Sequence, residues 1–317
     1  MSDDLPPMPE DGESVIGLLE VEPSPVEDEY FEFKDGSYFE SSSPSPTPSW
    51  QPSRTSTLGL GNHRPSYYLL RIQKYTSYAF TVFSTLHIAN TSLIPLLTRS
   101  VSESNRYLLL TRPFYQSALT EPLLVAIPLL AHVSSGIALR FYRRHQALRR
   151  YGAESHQDRR KIPWPPFSGT SLLGYALLPF AGFHIWTTRI LPLYMHGDSS
   201  MIGLGYISHG FALHPAVSFA GFAALVSAGV WHTTWGWARW LGLAPTQTTE
   251  TGSQRSITKK RRWYNINGVA ALVTGLWLAG SLGIIGRGGK TDGWIGREFD
   301  DLYKVVSLIG KLNKLYV

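Results

Sequence analysis

The 317 residues are 43% hydrophobic and 16% charged with a net charge of +6, but residues 1–40 hold thirteen carboxylates against the single Lys34. A single water-soluble domain does not divide its charge this way. The absence of cysteine excludes disulfides, thiolate metal sites, iron–sulfur clusters and thioether-linked haem, and the missing phosphate-loop, dinucleotide, nucleophile-elbow and zinc-protease motifs argue against soluble nucleotide enzymes and hydrolases.

Residues 1–64 are rich in Pro, Ser, Asp and Glu without helical or strand period. Too little apolar surface is available there to offset ordering entropy, so a disordered acidic tail is expected. Its acidic start resembles neither a secretory signal nor an Arg-rich presequence. Five apolar stretches follow, at about 72–97, 119–141, 171–194, 216–241 and 266–285, each long enough for roughly 30 Å of hydrocarbon. The expected fold is therefore all-α and membrane-integral. Two tandem helix hairpins, at 65–150 and 171–245, make a four-helix bundle, and 265–290 adds a fifth helix.

The links at 151–170 and 246–264, with the end of the second span, are strongly basic, with Arg143, Arg144, Arg159, Lys161, Lys259 and Arg262 among their basic residues. The link between spans three and four has none. By the positive-inside tendency the tail and both basic links lie in the cytosol and the C-terminus opposite. This charge flanks membrane segments, and no nucleic-acid partner is expected.

The two hairpins repeat. The run His87–Pro95 matches His184–Pro192 at an offset of 97 residues, and His132 with Gly136 and Arg140 matches His232 with Gly236 and Arg239 at an offset of 100. Parallel repeats of an even number of spans follow. Each of the four spans so carries one histidine, and an ionisable group in hydrocarbon needs an interior partner. The repeat pairs His87 with His184 and His132 with His232. Neutral imidazoles facing each other from neighbouring helices suit bis-histidine b-type haem, one or two per chain. Ser84, Ser135, Gly136, Gly182 and Gly229 leave room for a porphyrin. Arg140 and Arg239, about two turns from their histidines, are placed to reach propionates. Both pairs are expected near mid-membrane, differing in depth by several ångströms. The other six histidines, His209 among them, are expected at solvated surfaces. Arg189 is expected to snorkel or to meet a propionate.

In the fifth span Gly268, Ala271, Gly275, Ala279, Gly283 and Gly286 form a stripe of small residues, expected to pack against the bundle. At 291–317, Phe299, Leu302, Val306, Ile309 and Leu312 line one side of an amphipathic helix suited to the membrane interface.

The His-x₃-Gly-x₂₋₃-Arg runs resemble, locally, the cytochrome b anchors of succinate dehydrogenase and fumarate reductase. This keeps open an alternative, a membrane-anchored b-type cytochrome. Across residues 65–290 the duplicated His-bearing hairpins, the fifth span and the acidic Pro-containing head resemble the fungal Mdm-ten-complementing proteins of the mitochondrial outer membrane. The resemblance implies an adaptor that recruits a lipid-transfer protein of the vacuolar-protein-sorting-thirteen type through a Pro-x-Pro motif. It also implies a link to phospholipid scrambling. Of the candidate motifs, Pro23-Ser24-Pro25 is favoured because Leu18, Val21 and their apolar neighbours precede it. Those side chains suit pockets on a partner to which the backbone adds a strand.

Overall fold

The computed structural model describes residues 64–315, with side chains to Val306. The acidic head, including Leu18, Val21, Pro23 and Pro25, lies outside the described residues, as do the side chains of Ile309 and Leu312. Among the described residues the fold is entirely helical. Helix α1 spans Pro65–Ile88 and continues through a π-turn, Ala89–Leu93, into α2, Ile94–Thr98. Then follow α3 (Val101–Thr111) and α4 (Pro113–Gln116). A second π-turn, Pro122–Ala126, leads into α5, Ile127–Arg150. Beyond α6 (His156–Lys161), α7 (Gly169–Ile185) runs through a third π-turn, Trp186–Ile190, into α8, Leu191–His196. The chain ends with α9 (Leu204–Leu213), α10 (Pro215–Trp240), α11 (Gly252–Ser281) and α12 (Gly293–Leu315).

The boundaries follow local chemistry. Prolines open α1, α4 and α10 at a first turn that lacks intrahelical acceptors for its N–H groups. Ser100, Ser155 and Ser168 cap α3, α6 and α7 by accepting from Glu103, Asp158 and Ser171 amides. Arg99 ends α2 in the left-handed region, φ 53°.

Four helical runs are long and apolar enough to cross a membrane: Pro65–Thr98, Pro122–Arg150, Pro215–Gln247 and Gly252–Arg287. Their outward faces carry large apolar side chains, such as Leu97, Leu130, Val217 and Leu272, as expected of helices whose solvent is lipid. The third expected span, 171–194, is helical throughout yet is not among the four. His184, Thr187, Thr188 and Arg189 within it lower its hydropathy.

Close helix–helix approach occurs within each hairpin, α1 with α5 and α7 with α10. Helix α11 packs on α10 and on the π-turn after α1. Val226 and Val230 of α10 meet Ala270 of α11 in a buried cluster. The face of α11 turned inward is Ile266, Ala270, Thr274, Gly280 and Ser281. Gly268, Ala271, Gly275 and Ala279 lie exposed on the other side, whereas Gly286 is buried against Phe211, so the expected packing of the small-residue stripe against the bundle holds only at its C-terminal end. Periodicity located the stripe correctly. It did not reveal which face of α11 meets α10, where Ala270 packs on Val226 and Val230.

At the end of the bundle opposite the basic links, α3, α4, α9 and α12 form a cap. Phe299 and Leu302 of α12 are 3% and 2% exposed and pack with Leu191, Ile202 and Tyr206. The amphipathic helix is therefore docked on protein along this stretch. His209 of α9, expected at a surface, is buried. The Thr291 amide donates to its Nδ1 (3.1 Å), which places the ring proton on Nε2, and Nε2 donates to Asp300 Oδ1 (3.0 Å). That hydrogen bond holds the Asp300 carboxyl below the usual range.

Arg189 is corrected as well. Its Nε donates to Glu121 Oε1 (2.6 Å), its Nη2 pairs with Glu121 Oε2, and its Nη1 reaches Ser199 Oγ. The paired side chains are 26% and 24% exposed. They pin the start of the second span to the third helical run. Arg112 donates to the carbonyls of Ser199 (2.7 Å) and Ser200 (3.0 Å), closing the same corner.

Removing one partner of a half-buried bidentate pair strands the other charge. Glu121→Leu or Arg189→Met alone is expected to lower stability by about 1–3 kcal/mol, read from thermal unfolding in detergent. The double variant recovers most of the loss. Losses that simply add would contradict the pairing.

Candidate functional site

The four span histidines form two pairs, those the repeat predicts. The ring centroids of His87 and His184 are 6.0 Å apart, and those of His132 and His232 are also 6.0 Å apart. Each pair bridges the two hairpins. Helices of different hairpins do not approach one another as closely as those within a hairpin, so the imidazoles stand in the wider cleft.

The first pair sits beside repeated backbone irregularities. A π-turn begins two residues after His87 and again two residues after His184. Pro95 and Pro192, near the starts of α2 and α8, lack the N–H that the helical ladder needs there, and a widened turn takes up the mismatch. Polar side chains satisfy the loosened carbonyls. Thr91 Oγ1 donates to His87 O (2.7 Å) and Thr188 Oγ1 to His184 O (2.6 Å), the same bond in both repeats. Phe83 stacks on His87 at 5.3 Å, and Phe222 meets His184 edge-on at 5.7 Å.

In the second pair each imidazole is oriented by a backbone carbonyl. His132 Nδ1 lies 3.1 Å from Gln73 O in α1, and His232 Nδ1 lies 2.9 Å from Thr170 O in α7. A carbonyl only accepts, so Nδ1 carries the proton and the Nε2 lone pair remains for a metal. A Cβ on Gly174 would stand 2.8 Å from His232 Cε1. The glycine is what lets this ring lie against α7.

The pairs lie far apart in depth, which corrects the expected separation of several ångströms. His132 is level with Gln73, fourteen residues before His87 on α1, and His232 is level with Thr170, fourteen before His184 on α7. On α10, Phe222 beside His184 and His232 are ten residues apart. At 1.5 Å per residue these spacings give roughly 15–21 Å. The offset is hidden in the sequence because distance from a span end is a poor ruler when helices continue past the membrane.

The donor set suits one kind of metal. Among the described residues no group of three or more His, Asp or Glu converges on a point, and two imidazoles do not complete a tetrahedral zinc shell. Two imidazoles do complete an iron that brings four equatorial nitrogens. With metal–imidazole bonds of about 2 Å, two opposed rings have centroids about 6 Å apart, as found in both pairs. Of the small residues expected near the ligands, a Cβ on Gly182 would meet nothing within 4 Å and one on Gly229 only Leu177, at 3.6 Å. On Gly136 it would meet Gln73 Nε2 at 3.0 Å.

The arginines divide. Arg140 donates to Pro165 O (3.0 Å) with its guanidinium over the Phe167 ring (3.6 Å) and near Trp164 (5.5 Å), so it braces the basic link. Arg239 is electrostatically coupled to Arg143 of α5, like charge facing like. Gln73, Thr170, Gly174 and Arg143 went unnoticed as site residues in the sequence, because two act through backbone and the others have no repeat signature.

Gly174→Ala is expected to push the His232 ring out of place and cost about 1–3 kcal/mol in thermal unfolding. Gly182→Ala, facing open space, is expected to be neutral or to stabilise by up to about 1 kcal/mol. Equal effects of the two would contradict the placement.

Residues 179–290 match the family model of the transmembrane domain of MDM10-complementing protein 1. The match takes in His184, His232 and α11. No curated protein and no solved structure is significantly similar to the chain. Over this segment, less than half of the chain, the sequence is similar to the transmembrane domain of that family, and the four candidate spans mark a multi-pass membrane protein.

Proposed function

We propose that the chain is a five-span protein of the mitochondrial outer membrane whose bundle holds b-type haem between histidine pairs. Its acidic head recruits a lipid-transfer protein of the vacuolar-protein-sorting-thirteen type. The observation that carries the haem assignment is the pair of 6.0 Å imidazole separations at repeat-equivalent positions, one of them with both Nδ1 atoms bonded to carbonyls. When bound, the haem supplies a one-electron couple. Gln73 and Thr170 hold His132 and His232 in the ligating tautomer. Arg239 and Arg143 offer positive charge to propionates. Arg140, already engaged, positions the link. The helical run 169–196 crosses as the third of five spans, alongside α10. The basic links face the cytosol and the C-terminus faces the intermembrane space.

The similarity of residues 179–290 to that family and the composition of the head support the adaptor half. The same similarity supports a role in lipid homeostasis, with phospholipid scrambling as its membrane activity. The imidazole pairs equally suit an anchor subunit of a membrane oxidoreductase. Co-purification with a flavoprotein distinguishes that alternative.

Purified protein, expressed with ample haem, is expected to show a Soret band and sharp α and β bands on reduction. Alanine at any one of the four histidines reduces their intensity. Colourless, folded protein contradicts the haem assignment. For the adaptor half, pull-down of the lipid-transfer partner by the full chain is expected to fall at least tenfold with Pro23→Ala and Pro25→Ala combined. Unchanged capture removes this motif from the account.

A further inference from the structure

Resting on the haem assignment above, we propose that the chain holds two separate haem sites, one toward each membrane face, and conducts single electrons across the membrane. Two independent measures of depth support the separation. The shared levels of His132 with Gln73 and of His232 with Thr170 set fourteen-residue intervals on α1 and α7. The Phe222 contact of His184 sets a ten-residue interval on α10. The resulting separation, roughly 15–21 Å, covers half or more of a hydrocarbon core of about 30 Å. One porphyrin cannot serve both pairs over that distance. Two have room without stacking.

The two sites differ in their surroundings, which gives each its own expected potential. At the His132–His232 site both rings donate to carbonyls, and the same two helices carry Arg143 and Arg239 toward their inner ends. At the His87–His184 site the rings meet Phe83, Phe222 and Trp277. On α1 the interval between them holds Tyr78, Phe80 and Phe83, with Phe80 against Phe83 at 5.4 Å. An enediol such as ascorbate on one side loses one electron and a proton to become its radical. An outer-sphere acceptor such as ferricyanide on the other side gains that electron. Potassium flux balances the charge.

The test uses the full chain. Haem extracted from purified protein is expected at two per chain, and potentiometric titration is expected to show two one-electron waves. His184→Ala removes one haem and one wave, and His232→Ala the other, each variant keeping the remaining spectrum as proof of folding. Gly174→Ala, which crowds His232 alone, shifts one wave and spares the second. In vesicles loaded with ascorbate, with valinomycin and potassium present, wild type is expected to reduce external ferricyanide at least tenfold faster than either single-site variant. One haem per chain, lost with any of the four histidines, overturns the two-site inference and leaves the haem assignment standing. Two haems with no transmembrane reduction overturns conduction. Protein without haem overturns both.

Discussion

An imidazole placed in hydrocarbon must find a partner, because lipid offers neither hydrogen bonds nor dielectric screening. Each of four helical runs carries one such group, and the partners are supplied by duplication. A histidine and its repeat copy meet across the two hairpins at 6.0 Å, twice, at two depths. Much of the rest of the bundle serves that meeting. The π-turns after His87 and His184 are copied together with them. Gly174 gives His232 its place against α7. Helix α11 packs on both hairpins and holds them together while the cleft between them stays wide enough for the rings.

The remaining polar groups obey the same constraint by other means. Arg189 takes Glu121, and Arg144 is 9% exposed with its guanidinium spread over the carbonyls of Arg159, Ile162 and Pro163. His209 takes Asp300 and the Thr291 amide. Asn90 is 1% exposed, donates from Nδ2 to Leu86 O at 2.7 Å, and has no partner in the structure for Oδ1. The contacts of Arg189 and His209 join elements distant in sequence. They set the corner between the second and third helical runs and dock the cap of α9 and α12.

How far the sequence exposed this structure depends on whether a feature repeats. The apolar stretches, the hairpin duplication and the histidine pairing were all legible, because period and offset survive in one dimension. The partner of Arg189 was not, since Glu121 sits sixty-eight positions away with no copy in the second hairpin. The stripe on α11 was visible but its direction was not. A helix with small residues on one side and Ile266, Ala270 and Thr274 on another turns inward whichever face fits α10. His209 was misplaced because a link free of basic residues resembles solvent-exposed chain. Folded α9 buries it beneath α12.

The depth of the pairs shows the same limit, for only the contacts of Gln73 and Thr170 reveal which turn of a neighbouring helix each ring meets. The ring planes cross at 66° in the His87–His184 pair and at 86° in the His132–His232 pair. Electron paramagnetic resonance of the oxidised, purified protein tests the central assignment directly. Ferric haem between crossed imidazoles is expected to give a highly anisotropic low-spin signal. A folded protein that gives no low-spin ferric signal would contradict it, and the four histidines would then be hydrogen-bonding groups alone.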